Sequence, residues 1–486
     1  LNHEEFASGF EEGIFWPKTM DRYPYMEKML QQGLVGLRSE NGLSQQQSVP
    51  SAPAETVRER SEADAAQTLE RASTGPLSGL RVLELCDEKG QFCGKLMADL
   101  GADVVKIEPP GGQSTRAVGP FLDDLPHRER SLSFWHYNAS KRGVTLNLES
   151  AEGRELFRRL VATADVVLES LPPGYLPSLD LGYEQLGELN SKLVMCSLTP
   201  FGQTGPWRDY ATSDLLQLAA GGQMGCCGYE EADVPDAPPI APGGGQAWHT
   251  GSHYAYIAIL SALIFRIRTG QGQYIDASVH DACALTTENH LPVYIYTGRV
   301  VRRQTGRHAS PTPTLRTLYR CKDDEYVNIQ ALAPTVSPRQ LKSLAEWINR
   351  YGMAGDLLDE RYQDPAFIQG NISHVNDRVA AFVPQLTQQE AFAGAQELGF
   401  PWGAVRTPDE LLEDPHLKDR RFWVEVEHPE LGRSFIYPGG AAIYSKTPWR
   451  ISRRAPLLGE HTEEVLCGEL GLAPQELSLL GECGVI

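Results

Sequence analysis

Residues 79–108 decide the fold class, and they read GLRVLELCDEKGQFCGKLMADLGADVVKIE. Leu80–Leu85 is a short apolar run that predicts a strand, and residues 90–100 have the apolar spacing of a helix. Gly101 stands where a glycine commonly ends a helix, and residues 102–108 predict a second strand. A strand, a helix and a second strand in this order form a βαβ unit. The sequence therefore predicts an α/β fold with a parallel sheet.

The same alternation of strands and helices continues downstream. Strands are predicted at 144–148, 165–169, 193–198 and 274–279, and helices at 151–163 and 251–268. Ser150 is the expected N-cap of the first of these helices. The second contains the most apolar run, Tyr254–Ile267, which is too short to span a membrane and predicts a helix buried in the core.

Beyond Thr305 the sequence changes character. Short strands at 318–320 and 326–329 precede helices rich in Gln, Glu and Ala that extend to about residue 396, which predicts a smaller α+β domain. Strand character returns at 428–446, where we expect the chain to rejoin the first domain. The predicted divisions are an N-terminal extension and linker (1–76), the first part of a large domain (77–270), a small domain with linkers (271–427) and a C-terminal return to the large domain (428–486).

Composition narrows the classes of partner. The 486 residues carry 63 Asp and Glu against 44 Lys and Arg, a net charge of −19, which argues against nucleic acid as a ligand. An anionic ligand would have to rely on local cations and backbone N–H groups. With no membrane-length apolar run and no recognisable secretory leader, we expect a cytoplasmic protein. The nine cysteines lack zinc-site spacing and are interpreted as reduced thiols, and no metal is expected.

Several polar positions admit both a functional and a structural interpretation. Residues 243–246 (GGGQ) precede a helix and could hold an anion with backbone N–H groups, or be a flexible linker. His249 and His253 lie four residues apart, but without a third metal ligand they are more simply hydrogen-bonded histidines. Asp214 could be a catalytic carboxylate or could serve at a helix N-terminus.

Two adjacent pairs are similarly open. Lys141 and Arg142 could contact phosphate as charge-assisted donors, or they could form a solvated basic pair. Cys226 and Cys227 have no cation placed nearby to lower a thiol pKa, so they are interpreted as buried structural cysteines. Neither pair assigns a function by itself.

Eight short motifs follow one another along the chain. They are residues 79–85 (GLRVLEL), 100–112 (LGADVVKIEPPGG), 138–148 (NASKRGVTLNL), 164–170 (ADVVLES), 181–186 (LGYEQL), 201–206 (FGQTGP), 269–278 (TGQGQYIDAS) and 454–462 (RAPLLGEHT). In this order and spacing, residues 79 to about 467 resemble the family III CoA-transferases, which include carnitine and formyl-CoA transferases and the α-methylacyl-CoA racemases. The resemblance implies a Rossmann-like large domain built from N- and C-terminal parts, a smaller domain between them, and two chains interlocked as rings.

The resemblance also implies a nucleophile that this sequence lacks at the expected place. Transferases of the family attack the acyl-CoA thioester with an aspartate just before the long apolar helix, and anhydride and thioester intermediates split one difficult exchange into easier steps. That position falls on Trp248, and residues 240–259 contain no carboxylate. The racemase branch adds a His-Asp pair at the position of Ser213 and Asp214, so its histidine is missing as well.

Contacts to coenzyme A are implied in the loop after the first strand and in turns after later strands. The corresponding positions are Lys89, Gly90, Leu146, Ser170 and Leu171. Pro109 and Glu149 stand where cations are expected, and Asp87 and Glu88 are unfavourable neighbours for phosphate groups. Lys89 remains available as a cation.

Three functions remain open at this point. The chain could move CoA between an acyl-CoA and a carboxylic acid, either as a homodimer or as the subunit without the aspartate beside an aspartate-bearing homologue, as in the benzylsuccinate transferase. It could catalyse different chemistry on acyl-CoA, such as that of a lyase or isomerase, with His249 or Asp214 as acid or base. It could also be a binding protein that kept the fold and lost catalysis.

Overall fold

The structure is a computed structural model that describes residues 75–287, 290–329 and 336–486. Its strands are β1 (Arg81–Leu85), β2 (Asp103–Glu108), β3 (Arg142–Thr145), β4 (Val166–Glu169), β5 (Val194–Thr199), β6 (Gln273–Ser278), β7 (Leu318–Arg320), β8 (Tyr326–Ile329), β9 (Trp402–Ala404), β10 (Trp423–His428) and β11 (Arg433–Pro438). Nearly all of the predicted extension at 1–76 lies outside the described residues.

The α-helices alternate with these strands along the chain. They are α1 (Gln91–Asp99), α2 (Leu132–Asn138), α3 (Ala151–Val161), α4 (Tyr175–Ser178), α5 (Tyr183–Leu189), α6 (Asp214–Ala220), α7 (Gln246–Thr269), α8 (Val279–Leu285), α9 (His290–Thr297), α10 (Pro338–Asn349), α11 (Pro365–Gly370), α12 (Ile372–Phe382), α13 (Gln388–Glu397), α14 (Pro415–Asp419) and α15 (Pro474–Glu482). The predicted α/β class is confirmed.

Six strands form one parallel sheet in the order β3-β2-β1-β4-β5-β6. Successive strands extend outward from β1 on one side, and the chain then returns to place β4 on the other side of β1. The strand order therefore reverses between β1 and β4. In open parallel sheets the crevice at such a reversal, outside the carboxyl ends of the strands, is the usual place for a ligand.

Side chains of the sheet alternate between two buried layers. Leu83 and Val105 face a cluster that includes α3 and α5, whereas Val82 and Val104 face a cluster that includes α1 and α7. The first cluster also contains residues from the end of the chain, Val465, Leu466 and Val485. The C-terminal segment therefore completes a core that the N-terminal strands begin.

The turn at Gly101 is confirmed in detail. Gly101 has φ +96°, a left-handed conformation in which glycine has no Cβ penalty. Its N–H donates to the Ala98 carbonyl at 2.9 Å, and the next N–H, of Ala102, donates to the Met97 carbonyl at 3.0 Å. This is the paired pattern of a Schellman motif, and it directs the chain from α1 into β2.

The largest differences from the predicted boundaries are at β3 and α7. β3 begins two residues earlier than expected and ends at Thr145, because its partner β2 ends opposite it at Glu108. The Leu146 N–H still donates to the Glu108 carbonyl of β2, but the next N–H, of Asn147, donates to the Val485 carbonyl at 2.7 Å. α7 begins at Gln246 and so includes the end of the glycine-rich segment, which was predicted to lie before the helix.

Two predictions of burial are wrong. The apolar helix α7 buries one face against the sheet, but Ile257 is 57% exposed and Ile267 is 81% exposed. Within the described ranges, no helix has the length and apolarity needed to cross a bilayer. All nine cysteines are free thiols as expected, yet Cys226 is only partly buried and Cys227 is exposed, because both lie in a surface loop after α6.

The remaining strands form two smaller sheets. β7, β8 and β9 make an antiparallel sheet that packs with α10, α12 and α13 around a separate apolar cluster. β10 and β11 form a separate antiparallel hairpin, and β11 lies within the stretch 428–446 that was predicted to have strand character. This hairpin packs on α2 through Val426 and Tyr437.

A buried carboxylate ties the first strands together. Glu84 of β1 is fully buried and lies 3.0 Å from the Lys106 ammonium of β2 and 2.6 Å from that of Lys141, just before β3. The Lys141 ammonium also donates to the Gln91 carbonyl at 2.8 Å. A Cβ on Gly94 would stand 1.7 Å from a Glu84 oxygen, so only glycine lets α1 approach this closely.

Arg142 is also part of an ion network. Its guanidinium contacts Asp103 and Glu464, each at 2.9 Å, and it contacts Glu469 as well. It thereby joins β2 and β3 to a helical turn near the chain's end. Lys141 and Arg142 are both buried and paired, so neither the phosphate-binding nor the solvated interpretation of this pair is correct.

Glu84→Gln should strongly destabilise the fold. Removing the shared carboxylate leaves two buried lysines facing each other without a counter-charge, which typically costs about 3–5 kcal/mol. The measurement is the urea unfolding midpoint. Exposed Glu88→Gln makes the same change of charge four residues away and should leave the midpoint nearly unchanged. Equal midpoints for both variants would show that the network contributes little to stability.

Candidate functional site

The crevice between β1 and β4 collects most of the predicted coenzyme A contacts. Lys89 and Gly90 follow β1, and Ser170 and Leu171 follow β4, so these four positions meet at one edge of the sheet. The Ser170 hydroxyl donates to Asp87 at 2.8 Å and accepts from the Asp87 N–H at 3.0 Å. That exchange of hydrogen bonds holds the two loops together.

Leu146 does not join this group. It follows β3, two strands away from β1, and its side chain is buried in the apolar cluster around α3. Its N–H donates to the Glu108 carbonyl at 2.7 Å. Neither its side chain nor its backbone donor is therefore directed at the β1–β4 crevice.

The crevice has little free positive charge. The Lys89 ammonium forms an ion pair with Asp87, and the Lys89 carbonyl accepts from the Ser252 hydroxyl of α7 at 3.1 Å. The Leu171 N–H is already bonded to the Glu169 carboxyl at 2.7 Å. An anion in this crevice would need to displace some of these contacts or bind through other backbone donors.

Asp214 serves the N-terminus of α7. Its Oδ1 accepts from the Ala247 N–H at 2.8 Å and from the Trp248 N–H at 3.3 Å. Both donors belong to the first turn of α7, where N–H groups have no partner within the helix and the helix dipole favours a negative charge. Gly245, the N-cap residue, has no side chain for this task. The carboxylate instead comes from the first residue of α6, whose own cap is Ser213.

His249 lies in a small aromatic group beside this cap. Its Nε2 is 2.7 Å from the Tyr137 hydroxyl, and its ring stacks on Phe92 with the centroids 4.2 Å apart. Desolvation lowers the pKa of His249, and His253 lowers it further, while Asp214 acts in the opposite sense. The lowered pKa favours the neutral imidazole, and in the tautomer with an unprotonated Nε2 the hydroxyl of Tyr137 donates to it. Burial also raises the pKa of Tyr137, as does Asp214, so the phenol keeps its proton.

Trp248 occupies the helix position between these two groups. Its backbone N–H bonds to Asp214, and its partly buried side chain packs against the apolar cluster of α1 and α7. His253 bonds back to the His249 carbonyl through Nδ1 at 2.8 Å. Across the part of the chain that the structure describes, no three His, Cys, Asp or Glu side chains are grouped as metal ligands.

Sequence reasoning missed Tyr137, Phe92 and Glu169. Tyr137 and His249 are 112 residues apart, and no spacing rule connects residues that meet only through the fold. Tyr137 does immediately precede the motif beginning at Asn138. Its position beside a recognised motif is the only signal that could have drawn attention to it.

A family described as CoA-transferase family III matches residues 77–462. The chain belongs to this family. Its homologues carry out CoA transfer between an acyl-CoA and an acid, as their names state.

Similar family III members include one subunit of a transferase and one transferase named without subunits. The chain is 33% identical over 415 residues to succinyl-CoA:(R)-benzylsuccinate CoA-transferase subunit BbsE of Thauera aromatica, covering 84% of this chain and 98% of that protein. It is 33% identical over 409 residues to succinyl-CoA–D-citramalate CoA-transferase of Chloroflexus aurantiacus, covering 83% of this chain and 96% of that protein.

Among solved structures, a CAIB/BAIF family protein from Brucella suis is similar. It has a TM-score of 0.68 and 31% sequence identity, with 81% of this chain and 99% of that chain covered. The described fold is thus the fold of this group of proteins.

Histidine NMR should report the environment of His249 in this family III member. Its pKa should lie below the ordinary value of about 6.5. Tyr137→Phe should raise the pKa, because it removes a donor that favours the neutral ring. Asp214→Asn should lower the pKa further, because it removes an anion that favours the charged ring. The resonance is assigned by its loss in His249→Gln, with Tyr351→Phe, a distant exposed tyrosine, as the control. An unchanged titration in Tyr137→Phe would contradict the hydrogen bond.

Proposed function

We propose that this chain is the subunit without a catalytic aspartate in a CoA-transferase that moves CoA between an acyl-CoA and a carboxylic acid. The proposal rests on the residues at the first turn of α7. Trp248 stands at the expected nucleophile position, and the carboxylate beside it, Asp214, is engaged with two backbone N–H groups. A tryptophan cannot form an acyl intermediate, so the nucleophile would come from an aspartate-bearing partner.

The ligand on this proposal is CoA or its acyl thioester, with no metal. It would enter the β1–β4 crevice, where Lys89, Gly90, Ser170 and Leu171 lie together. The strand reversal at that crevice supports the assignment. A Cβ on Gly90 would stand 2.6 Å from the Cys86 sulfur, so this loop is packed too tightly for any larger residue.

The exposed face of α7 supports a partner subunit. Ile257, Ile264, Phe265 and Ile267 are all exposed on this helix, and several exposed apolar side chains on one helix are common at protein interfaces. The proposal includes an interlocked, Rossmann-like architecture with a large domain at 77–270 and 428–486, a small domain at 271–427, and a cytoplasmic location. A homodimer is the alternative assembly.

The reaction would then run on the partner's carboxylate. Its oxygen attacks the thioester carbon, the bond from carbon to sulfur breaks, and the CoA thiolate leaves as an acyl anhydride forms. The thiolate attacks the carboxylate carbon of that anhydride and releases the first acid, and the second acid takes over the CoA by the same steps in reverse. This chain would contribute the positioning of CoA.

A second candidate function rests on the Tyr137–His249 pair. A neutral imidazole 2.7 Å from a phenol can act as base and acid in one site, which suits chemistry at the carbon next to a thioester. Exchange of succinyl-CoA α-hydrogens in D₂O, lost in Tyr137→Phe and His249→Gln, would favour this function over the transferase.

Native mass spectrometry of the protein purified from its own host tests the proposed assembly. A heteromer with an aspartate-bearing homologue, formed with and without succinyl-CoA, is the expected result. A homodimer that retains CoA would favour chemistry at Tyr137 and His249. A homodimer without affinity for CoA would overturn both enzymatic functions and favour a binding protein.

Trp248→Asp alone should not create robust acyl exchange. The new carboxylate would lie in the same helical turn that Asp214 already caps, so the two anions would compete for the same donors and repel each other. Mass spectrometry of acyl-CoA products from succinyl-CoA and a panel of carboxylic acids measures the exchange. Trp248→Asn introduces a side chain of the same shape as Asp but without a nucleophilic carboxylate, and its exchange activity should equal that of Trp248→Asp. Strong exchange in the Asp variant only would show that the rest of a transferase site is still present.

A further inference from the structure

A cavity of about 360 Å³ lies beside β4, β5 and β6, between the large sheet and helices α4 and α5. It is separate from the Tyr137–His249 group, none of whose residues line it. Its walls come from Glu169, Pro172, Gly174, Tyr175, Leu176, Pro177, Gly182, Tyr183, Glu184, Gln185, Met195, Ser197, Gln203 and Tyr274. This volume suits a small molecule.

The charge of the cavity wall has one sign. Glu169 is 4% exposed, and one of its oxygens accepts from the Leu171 N–H at 2.7 Å. Glu184 adds a second carboxylate at the rim. Among the described residues that line the cavity, none is Lys, Arg or His. A carboxylate or phosphate would meet repulsion here, so neither the acid substrate nor the phosphates of CoA suit this cavity.

Three tyrosines, Tyr175, Tyr183 and Tyr274, supply the aromatic part of the wall. The rings of Tyr183 and Tyr274 have centroids 5.8 Å apart and are inclined by 30°. The Tyr274 hydroxyl donates to Ser197 at 3.0 Å, and the Tyr175 hydroxyl donates to Glu149. Because the hydroxyls of Tyr274 and Tyr175 already have hydrogen-bond partners, a ligand would contact these residues mainly through their rings. The face of an aromatic ring attracts cations.

We propose that this cavity binds a small organic cation, with its ammonium group against the tyrosine rings and the Glu169 carboxylate. Glu169 is hydrogen-bonded to Ser197 and to the Leu171 N–H, but a buried carboxylate also favours a counter-charge. A bound cation would supply the positive charge that no described lining residue provides. The proposal does not depend on the CoA-transferase function, because none of Lys89, Gly90, Ser170 and Leu171 lines the cavity, although the Leu171 N–H bonds to Glu169.

Glu169 should make this binding depend on pH. Burial raises the pKa of Glu169 to about 7; Asp87 raises it as well, while Ser197, the Leu171 N–H and Lys89 oppose the shift. The other titratable groups that face it are Tyr274 and Cys196. A cation binds the ionised carboxylate, so affinity should rise as pH increases from 6 to 8 and should release a proton at the lower end.

Calorimetric titration of the full chain with choline tests the site. The comparison ligand is 3,3-dimethylbutan-1-ol, which has the shape of choline without its charge. At pH 8, choline should bind about tenfold more tightly than 3,3-dimethylbutan-1-ol. Glu169→Gln should weaken choline binding by about tenfold. As a control, Glu188→Gln removes an exposed carboxylate from α5, the helix that contributes Tyr183 to the cavity, and should leave choline affinity unchanged.

Three results would overturn the proposal. One is equal binding, or no binding, of the two ligands by the wild-type chain at millimolar concentration. Another is choline affinity that does not change between pH 6 and 8, a measurement that needs no variant and so does not depend on the folding of Glu169→Gln. The third is displacement of choline by succinyl-CoA, which would assign the cavity to the CoA path. Loss of CoA binding with choline binding intact would instead count only against the transferase function.

Discussion

The Glu84 carboxylate lies between two buried lysines, and the first half of the large sheet is arranged around it. Lys106 approaches from the neighbouring strand, and Lys141 approaches from the turn that leads into the next one. Charges of this kind are costly to bury unless each has a partner. Two cations sharing one anion leave an excess positive charge, and burial accordingly lowers the pKa of Lys141 to about 8. The requirement for pairing ties together the positions of β1, β2, α1 and the turn before β3.

The same logic of pairing shapes the candidate site. Asp214 satisfies the first turn of α7, and Lys89 is matched by Asp87. Groups that sequence alone presents as free catalytic or binding candidates are thus occupied in holding the backbone. The Tyr137–His249 pair and the buried carboxyl of Glu169, in contrast, neither cap a helix nor form an ion pair. The family III fold is therefore present here with Trp248 at the position where the resemblance implies the nucleophile.

Local patterns predicted the fold well because their causes are local. The Gly101 turn, the Ser150 cap and the strands at Leu318–Arg320 and Tyr326–Ile329 all follow from residue types within a few positions. β3 was displaced because its limits are set by β2. Lys141 and Arg142 were misread because their partners lie far away in sequence. Of the five positions predicted to contact CoA, four lie together at one crevice, and their role stays a prediction. The Tyr137–His249 hydrogen bond could not be predicted, because its two residues meet only through the fold.

Arg142 and the C-terminal residues have a consequence for the order of synthesis. The last turns of the chain provide Val465, Leu466 and Val485 to the core started by β1, and Glu464 and Glu469 to Arg142. A ribosome makes these residues after the whole α+β layer. The N-terminal strands must therefore wait, with one apolar face incompletely covered and Arg142 without two of its partners, until residues 464–485 have been made. The intervening α+β layer, whose core is its own, is free to form before the large sheet is complete.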